Sequence, residues 1–182
     1  MTPYVLSLRA GPKAREIIKK WEGLHDGDPT TANLNPYICR AGYWTIGWGH
    51  VVLGPNSQML RGMPNKALAY SMYPAGVTMA ECEALLRADL IRFENGVRPV
   101  CEGGPRPTSA AQFGAMVSLA CNIGIGAFQK SSVARNHAMG NYQAAADSFM
   151  LWNKATVDGV RTILPGLTNR RAEERALYLS GT

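Results

Sequence analysis

Apolar residues near the start of the chain recur at helical spacing and predict a helix over residues 12–22. Pro12 suits its first position, and Gly23 ends the pattern. The apolar positions of this helix are Ala14, Ile17, Ile18 and Trp21. Residues 25–36 follow and are rich in Asp, Gly, Asn, Thr and Pro, so they predict a loop.

The segment after this loop changes to the alternation that is typical of strands. Residues 37–39 predict a short strand, residues 40–42 a turn, and residues 43–50 a second strand. In an extended segment Trp44 and Ile46 lie on one face, while Thr45 lies on the other.

The rest of the chain returns to helical patterns. Thr78 with Glu81 forms a capping box that begins a long helix ending near residue 97. A second capping box, Ser109 with Gln112, begins a very apolar helix that ends near Asn122. Shorter helices are predicted near 132–139, 142–153 and 168–179, with a loop over 159–166.

These patterns predict an α+β fold with a small N-terminal β-sheet lobe, a long connecting helix and a helical C-terminal lobe. The chain has 182 residues, which suits a single domain spanning residues 1–182. No internal repeat or low-complexity linker interrupts it. A cleft between the two lobes is the expected ligand site.

Composition limits the class of protein further. Hydrophobic residues make up 46% of the chain and charged residues 18%, which is typical of a globular protein. The net charge of +6 favours an acidic partner such as nucleic acid, an anionic membrane or a cell-wall polymer, although it also fits simple solubility. The four cysteines, none in a CxxC pair, are Cys39, Cys82, Cys101 and Cys121. We therefore expect neither a zinc site nor a disulfide framework, and no cofactor.

Glu22 has the position that a catalytic acid needs. It ends the first predicted helix, where the partial negative charge of the last carbonyl groups disfavours an ionised carboxylate. Trp21 beside it adds apolar surface. A glycosidase requires a carboxylic acid that can protonate the leaving oxygen. Taken alone, Glu22 is better explained as a solvated glutamate at the end of a helix.

Several motifs, in order along nearly the whole chain, resemble the phage-type lysozymes, the endolysins of tailed phages. Three segments resemble the active-site signature of that family, namely WEG at 21–23, YICRAG at 37–42 and TIGWGH at 45–50. Four later segments resemble the helical lobe of that family, namely NIG at 122–124 with Phe128 and Ser131, WNKA at 152–155, LPGL at 164–167 and RRAE at 170–173.

The resemblance implies a hydrolase that cleaves the β-1,4 bond between N-acetylmuramic acid and N-acetylglucosamine in peptidoglycan. It assigns Glu22 as the general acid and Thr45 as the residue that holds the attacking water. Cys39 stands where the family has an aspartate, which departs from the usual two-carboxylate arrangement. A thiolate at Cys39 would stabilise positive charge or activate the water, whereas a thiol would only orient it. Asp26 or Asp28 in the preceding long loop is the alternative second carboxylate, although turn chemistry also explains both.

By the same resemblance, Asn122, Ser131 and Arg171 bind substrate, and Arg171 points toward Glu22. Asn122 and Ser131 are equally suited to cap helices. His50 and Asp89 are expected to form a structural pair between the second strand and the long helix.

The expected partner is bacterial peptidoglycan, with no nucleic acid, no metal, no stable membrane association and a monomeric state. Residues 1–13 lack the pattern of a signal peptide, so we expect synthesis in the host cytoplasm. The enzyme would then act on the wall after holin-dependent release across the inner membrane.

Four other functions remain open from the sequence. One is a wall amidase or endopeptidase that uses Cys39 and His50 as a catalytic dyad. Another is a catalytically impaired module that only binds the wall. A third is a cationic membrane-disrupting protein that uses the last helix, where Arg170, Arg171 and Arg175 precede apolar residues. The fourth is a lytic transglycosylase, which would leave anhydro-sugar ends.

Overall fold

The computed structural model describes all 182 residues and divides into two compact units. The sheet unit comprises Glu22–Asp89, and the helical unit comprises Met1–Trp21 together with Leu90–Thr182. The architecture is α+β, as predicted, with nine α-helices and five short strands. The organisation of the chain as one catalytic domain stays a prediction.

The sheet unit is built on a three-stranded antiparallel sheet with the order β1-β2-β3. Its strands are β1 (Tyr37–Ile38), β2 (Trp44–Ile46) and β3 (His50–Val51). A 3-10 turn (Met63–Asn65) and helix α3 (Lys66–Met72) follow, and then the first part of α4 (Met79–Cys101). The apolar core beneath the sheet contains Trp44, Ile46, Val52, Leu60, Ala69, Val77 and Cys82.

The prediction of one continuous strand over 43–50 was wrong. The chain turns at Gly47 and Gly49, which have φ angles of +61° and +81°, and returns as β3. These are left-handed conformations that glycine adopts without steric cost. A Cβ on Gly47 would lie 2.8 Å from the Cys82 sulfur, so the close approach to α4 also requires glycine there.

The helical unit contains most of the helices and a second, two-stranded sheet. Two helices are shared with the sheet unit: α2 (Pro12–Glu22) belongs to the helical unit up to Trp21, and α4 belongs to it from Leu90. Its other helices are α1 (Pro3–Ser7), α5 (Ala110–Ile123), α6 (Ile125–Gln129), α7 (Ser132–Ala138), α8 (Tyr142–Ser148) with a 3-10 turn (Phe149–Trp152), and α9 (Pro165–Leu179). Its strands are β4 (Lys154–Val157) and β5 (Val160–Ile163). Helix α5 is almost entirely buried, as its composition predicted.

Both predicted capping boxes are confirmed. The Thr78 backbone N–H donates to the Glu81 carboxylate at 2.7 Å, and the Glu81 N–H donates to the Thr78 hydroxyl at 3.3 Å. The Ser109 and Gln112 pair makes the same reciprocal bonds at 3.0 and 3.1 Å. Each box satisfies two backbone donors that the first helical turn leaves unpaired.

Three other boundaries differ from the predictions. Helix α4 continues past Pro99 to Cys101, because the buried Val97 and Cys101 pack its last turns despite the bond that proline removes. The predicted loop over 159–166 contains β5 and the start of α9, since Asp158 and Gly159 form a tight turn with positive φ angles. Helices α1, α3 and α6 were not predicted, because segments of five to seven residues carry little periodicity.

Candidate active site

Glu22 is the last residue of α2, as the sequence predicted. Gly23 follows with a φ angle of +72°, a left-handed conformation that ends the helix. The Glu22 side chain is half-buried. The carbonyl groups of the last turn therefore act on a carboxyl group that is partly shielded from water.

Cys39 and Thr45 lie on the same face of the β1–β2 hairpin. Tyr37 is opposite Thr45 in the antiparallel register, and the Cys39 N–H continues the ladder by donating to the Tyr43 carbonyl at 2.9 Å. Since side chains alternate between faces, Tyr37, Cys39 and Thr45 project from the same side. A tight turn fixes this arrangement, because the Gly42 N–H donates to the Cys39 carbonyl at 2.8 Å.

All three candidate catalytic residues affect the pKa of the Tyr37 phenol. The Thr45 side chain is buried, and its hydroxyl donates to the Tyr37 carbonyl at 3.4 Å. Burial raises the pKa of the Tyr37 phenol, a hydrogen bond with Thr45 opposes the rise, and the charges of Cys39 and Glu22 add to it. Glu22, Cys39 and Thr45 therefore all lie close enough to the Tyr37 side chain to affect its ionisation.

The side chains of Asp26 and Asp28 accept hydrogen bonds within the loop that contains them. One Asp26 carboxylate oxygen accepts from the backbone N–H of Asp28 at 3.0 Å and from that of Asn35 at 2.9 Å. Asp28 accepts from the N–H and the hydroxyl of Thr30, and these bonds lower the pKa of its carboxyl. Both contacts are typical of turn chemistry and favour a structural role for the two aspartates.

His50 and Asp89 lie in direct contact. The His50 Nδ1 atom is 3.0 Å from one Asp89 carboxylate oxygen and 3.1 Å from the other, which joins β3 to α4 within the sheet unit. This is the structural pair that the sequence indicated.

The sheet geometry opposes a dyad of Cys39 and His50. Strands β1 and β3 lie on opposite sides of β2, so their backbones are roughly 10 Å apart. Cys39 follows β1, whereas His50 begins β3 and holds Asp89. A cysteine nucleophile needs its base within hydrogen-bond reach, which this register does not provide.

The other predicted substrate residues lie in the helical unit. Asn122 is exposed, and its side-chain oxygen accepts from Arg171 at 3.1 Å. Ser131 is buried, and its hydroxyl caps α7 by accepting from the Ala134 N–H at 3.1 Å. Of the three, only Asn122 has a side chain that is open to solvent.

Arg171 belongs to a buried charge network on α9. Its side chain is 0% exposed and makes an ion pair with Glu174 at 2.8 Å, while Arg170 donates to Glu174 at 3.2 Å. Burial raises the pKa of Glu174 and lowers that of Arg171, and the attraction between their charges opposes both shifts. Because Arg170, Arg171, Leu177 and Tyr178 are all buried, α9 packs on a core, which opposes the alternative of a membrane-disrupting last helix.

No group of three or more His, Cys, Asp or Glu side chains is arranged to hold a metal ion. None of the helices combines the length and the apolar character needed to cross a bilayer.

The family model described as phage lysozyme matches residues 19–174, which is most of the chain. The chain belongs to the phage lysozyme family. It is 34% identical over 169 residues to an endolysin of Acyrthosiphon pisum secondary endosymbiont phage 1, covering 92% of this chain and 96% of the relative.

Solved structures agree with this assignment. An endolysin from Escherichia coli O157:H7 phage FAHEc1 superposes with a TM-score of 0.72 at 30% identity, covering 97% of this chain and 96% of that one. The muramidase domain of SpmX from Asticaccaulis excentricus gives 0.71 at 30% identity, covering 94% and 98%. The fold is therefore lysozyme-like, and the activity is that of a glycoside hydrolase which lyses peptidoglycan.

Proposed function

We propose that this endolysin hydrolyses the β-1,4 bond between N-acetylmuramic acid and N-acetylglucosamine, with Glu22 as the general acid. The observation that carries the proposal is the position of Glu22 at the C-terminal end of α2, together with Cys39 and Thr45 on one face of the β1–β2 hairpin. A half-buried carboxyl at the C-terminal end of a helix supports donation of a proton to the leaving oxygen.

Thr45 is the proposed holder of the attacking water. Its hydroxyl bonds weakly to the Tyr37 carbonyl at 3.4 Å, which leaves its lone pairs able to accept from a water molecule. Cys39, on the same face, is the proposed partner of that water in place of an aspartate. The half-buried thiol is accessible enough to orient the water or, when ionised, to stabilise the oxocarbenium-like charge.

Asn122 is the proposed sugar contact in the helical unit. Its exposed amide offers both a donor and an acceptor, and the bond from Arg171 fixes the orientation of that amide. Arg171 then acts by holding Asn122, and Ser131 by capping α7. We further propose synthesis in the host cytoplasm and action on the wall after holin-dependent release.

Mass spectrometry of digested peptidoglycan tests the proposed reaction. The soluble fragments are reduced with borohydride, and we expect reduced N-acetylmuramic acid at the newly formed ends. Anhydro-muramic ends would instead identify a lytic transglycosylase. Free stem peptides without cleaved glycan would identify an amidase or endopeptidase, and intact sacculi would leave only wall binding. Any of these three results would overturn the proposal.

A further inference from the structure

The Arg171 guanidinium is held in one orientation by Glu174. Its Nε atom lies 2.8 Å from one Glu174 carboxylate oxygen, and its Nη2 atom donates to the other at 2.9 Å. Both side chains are 0% exposed, and the buried Ser118 hydroxyl donates to the same carboxylate at 2.7 Å. This two-point contact leaves Nη1 as the nitrogen of the guanidinium that faces away from Glu174.

The Nη1 atom fixes the orientation of the Asn122 amide. It donates to the Asn122 side-chain oxygen at 3.1 Å, which joins the last turn of α5 to α9. An arginine only donates hydrogen bonds, so the oxygen of the amide, and never its NH2 group, must face Arg171. The Nδ2 group of Asn122 is therefore turned away from the buried pair, on a residue that is exposed to solvent.

We propose that Arg171 and Glu174 make Asn122 a selective donor, whose NH2 group binds an amide carbonyl oxygen of peptidoglycan. The inference rests on the proposed role of Asn122 as a sugar contact and adds which kind of group it selects. An unrestrained amide turns over and accepts from a hydroxyl as readily as it donates to a carbonyl. Here the acceptor is already bonded to Arg171, and a turned amide would place its NH2 group against the guanidinium.

Amide carbonyl oxygens occur in two parts of peptidoglycan, the acetamido groups of the sugars and the peptide stems. Both present the same acceptor, so the geometry of Asn122 predicts the chemistry and the experiment identifies its source. A sugar without its acetyl group has an amino group in place of this carbonyl. Because the bond from Arg171 orders the amide before substrate arrives, little side-chain freedom is lost on binding.

Asn122→Asp tests the donor, because it removes the NH2 group and keeps an oxygen for Arg171. We expect KM for intact peptidoglycan to rise roughly three- to tenfold with little change in kcat, as for the loss of one hydrogen bond made equally in the ground and transition states. If Asn122 only joined α5 to α9, the charged bond to Arg171 would preserve both the thermal midpoint and KM. An unchanged KM in Asn122→Asp would therefore overturn the proposal.

Two modified substrates identify the carbonyl. The rise in KM should disappear on N-deacetylated strands if the acceptor is an acetamido group, and on strands stripped of their peptides if it belongs to the stem. Either result supports the proposal and names the source. A rise that persists on both substrates would mean that Asn122 binds another group, such as a hydroxyl, and would count against the assignment.

Asn95→Asp is the matched control. Asn95 is also exposed, and its side-chain oxygen accepts from Arg98, a buried arginine that pairs with Glu94. The substitution adds the same charge to the helical unit and should leave KM unchanged. Asn122→Leu removes the donor without adding charge and should raise KM as Asn122→Asp does. A rise in Asn122→Asp alone would be an effect of charge and would exclude the donor.

A binding measurement separates this inference from the proposed reaction. Proton–nitrogen NMR of Glu22→Gln follows the Nδ2 protons of Asn122, whose signals are identified by their loss when Asn122→Asp is added. We expect these signals to shift with peptide-free N-acetylated oligosaccharides or with isolated stem peptides, and not with N-deacetylated oligosaccharides. No shift with either acceptor would overturn the inference even if the enzyme proves to be a muramidase. A shift would support it even if the digestion products show that another bond is cut.

Discussion

The most deeply buried charges of the helical unit and the candidate catalytic residues of the sheet unit differ in their exposure to solvent. In the helical unit, Glu174 and Arg171 are fully buried and Arg170 is 3% exposed, and both arginines pair with Glu174. In the sheet unit, Glu22 and Cys39 are half-buried and lie at the end of a helix and at the start of a turn.

This difference distinguishes charged side chains that stabilise the fold from side chains that a substrate can reach. A buried ion pair has no room for a substrate, and removal of one partner leaves an uncompensated charge in the interior. A half-buried carboxyl at the end of a helix stays within reach of a substrate and of water. The comparison therefore supports the proposed placement of the chemistry in the sheet unit, and it leads us to expect the larger stability effects in the helical unit.

The largest effect is expected for Glu22→Gln. Loss of the general acid should lower the rate of glycan cleavage roughly 10²- to 10⁴-fold, while the fold is retained because the side chain is only half-buried. Release of reducing ends measures the rate, and circular dichroism measures the thermal midpoint. Glu16→Gln in the same helix is the control and should keep full activity. If Glu22→Gln retained most of the activity, the general acid could not be the carboxyl at this helix end.

The next largest effect is expected for Glu174→Gln. The substitution leaves Arg170 and Arg171 buried without their counter-charge, so the free energy of unfolding should fall by about 3–5 kcal/mol. Urea denaturation measures the loss. Asp147→Asn breaks the exposed pair with Arg175 and should have a far smaller effect. Equal losses in the two variants would contradict the distinction between buried and exposed pairs.

His137 should make the helical unit sensitive to acid. Its ring is buried, with Nε2 at 2.8 Å from the Thr108 hydroxyl and Nδ1 at 2.6 Å from the Tyr178 hydroxyl, and burial lowers the pKa of His137 to about 4. The unfolded chain takes up this proton below about pH 6.5, whereas the folded chain does so only near pH 4. Stability is therefore complete above about pH 6.5 and is lost as the pH falls toward 4, by at most roughly 3 kcal/mol.

The measurement is the free energy of unfolding at several pH values between 4 and 7. His137→Asn should be less stable at neutral pH but should show a shallower decline toward acid. His25→Gln, at an exposed position, is the control and should keep the wild-type slope. An unchanged slope in His137→Asn would show that another group causes the acid sensitivity.

Local signals predicted most of the elements and some of the site. The capping boxes at Thr78 and Ser109 and the stop at Gly23 depend on residues close together in sequence, and all three were located correctly. The turn at Gly47 and Gly49 was not, because the large apolar residues around these glycines alternate with small ones as they do in a continuous strand. Periodicity also gave no sign of the β4–β5 hairpin, whose residues are exposed on both faces.

The buried network of the helical unit shows the same limit. Glu174 follows Arg170 and Arg171 at helical spacing, so their pairing on one face was predictable, but their burial was not. His137 finds its partners 29 and 41 residues away, and no local pattern indicates them.

The smallest of these effects concerns Cys39 and decides which residue assists the water. If Cys39 has the role of the absent aspartate, Cys39→Ala should slow cleavage about tenfold or more, and Cys39→Asp should be tolerated because it restores a carboxylate on the same face. The rival assignment gives this role to Asp26 or Asp28. Both accept bonds from their own loop, so Asp26→Asn and Asp28→Asn should change stability more than kcat. Rates of reducing-end release at matched folded fractions compare the four variants. Full activity in Cys39→Ala, with a large loss of kcat in either aspartate variant, would move the second catalytic group from the hairpin into the loop.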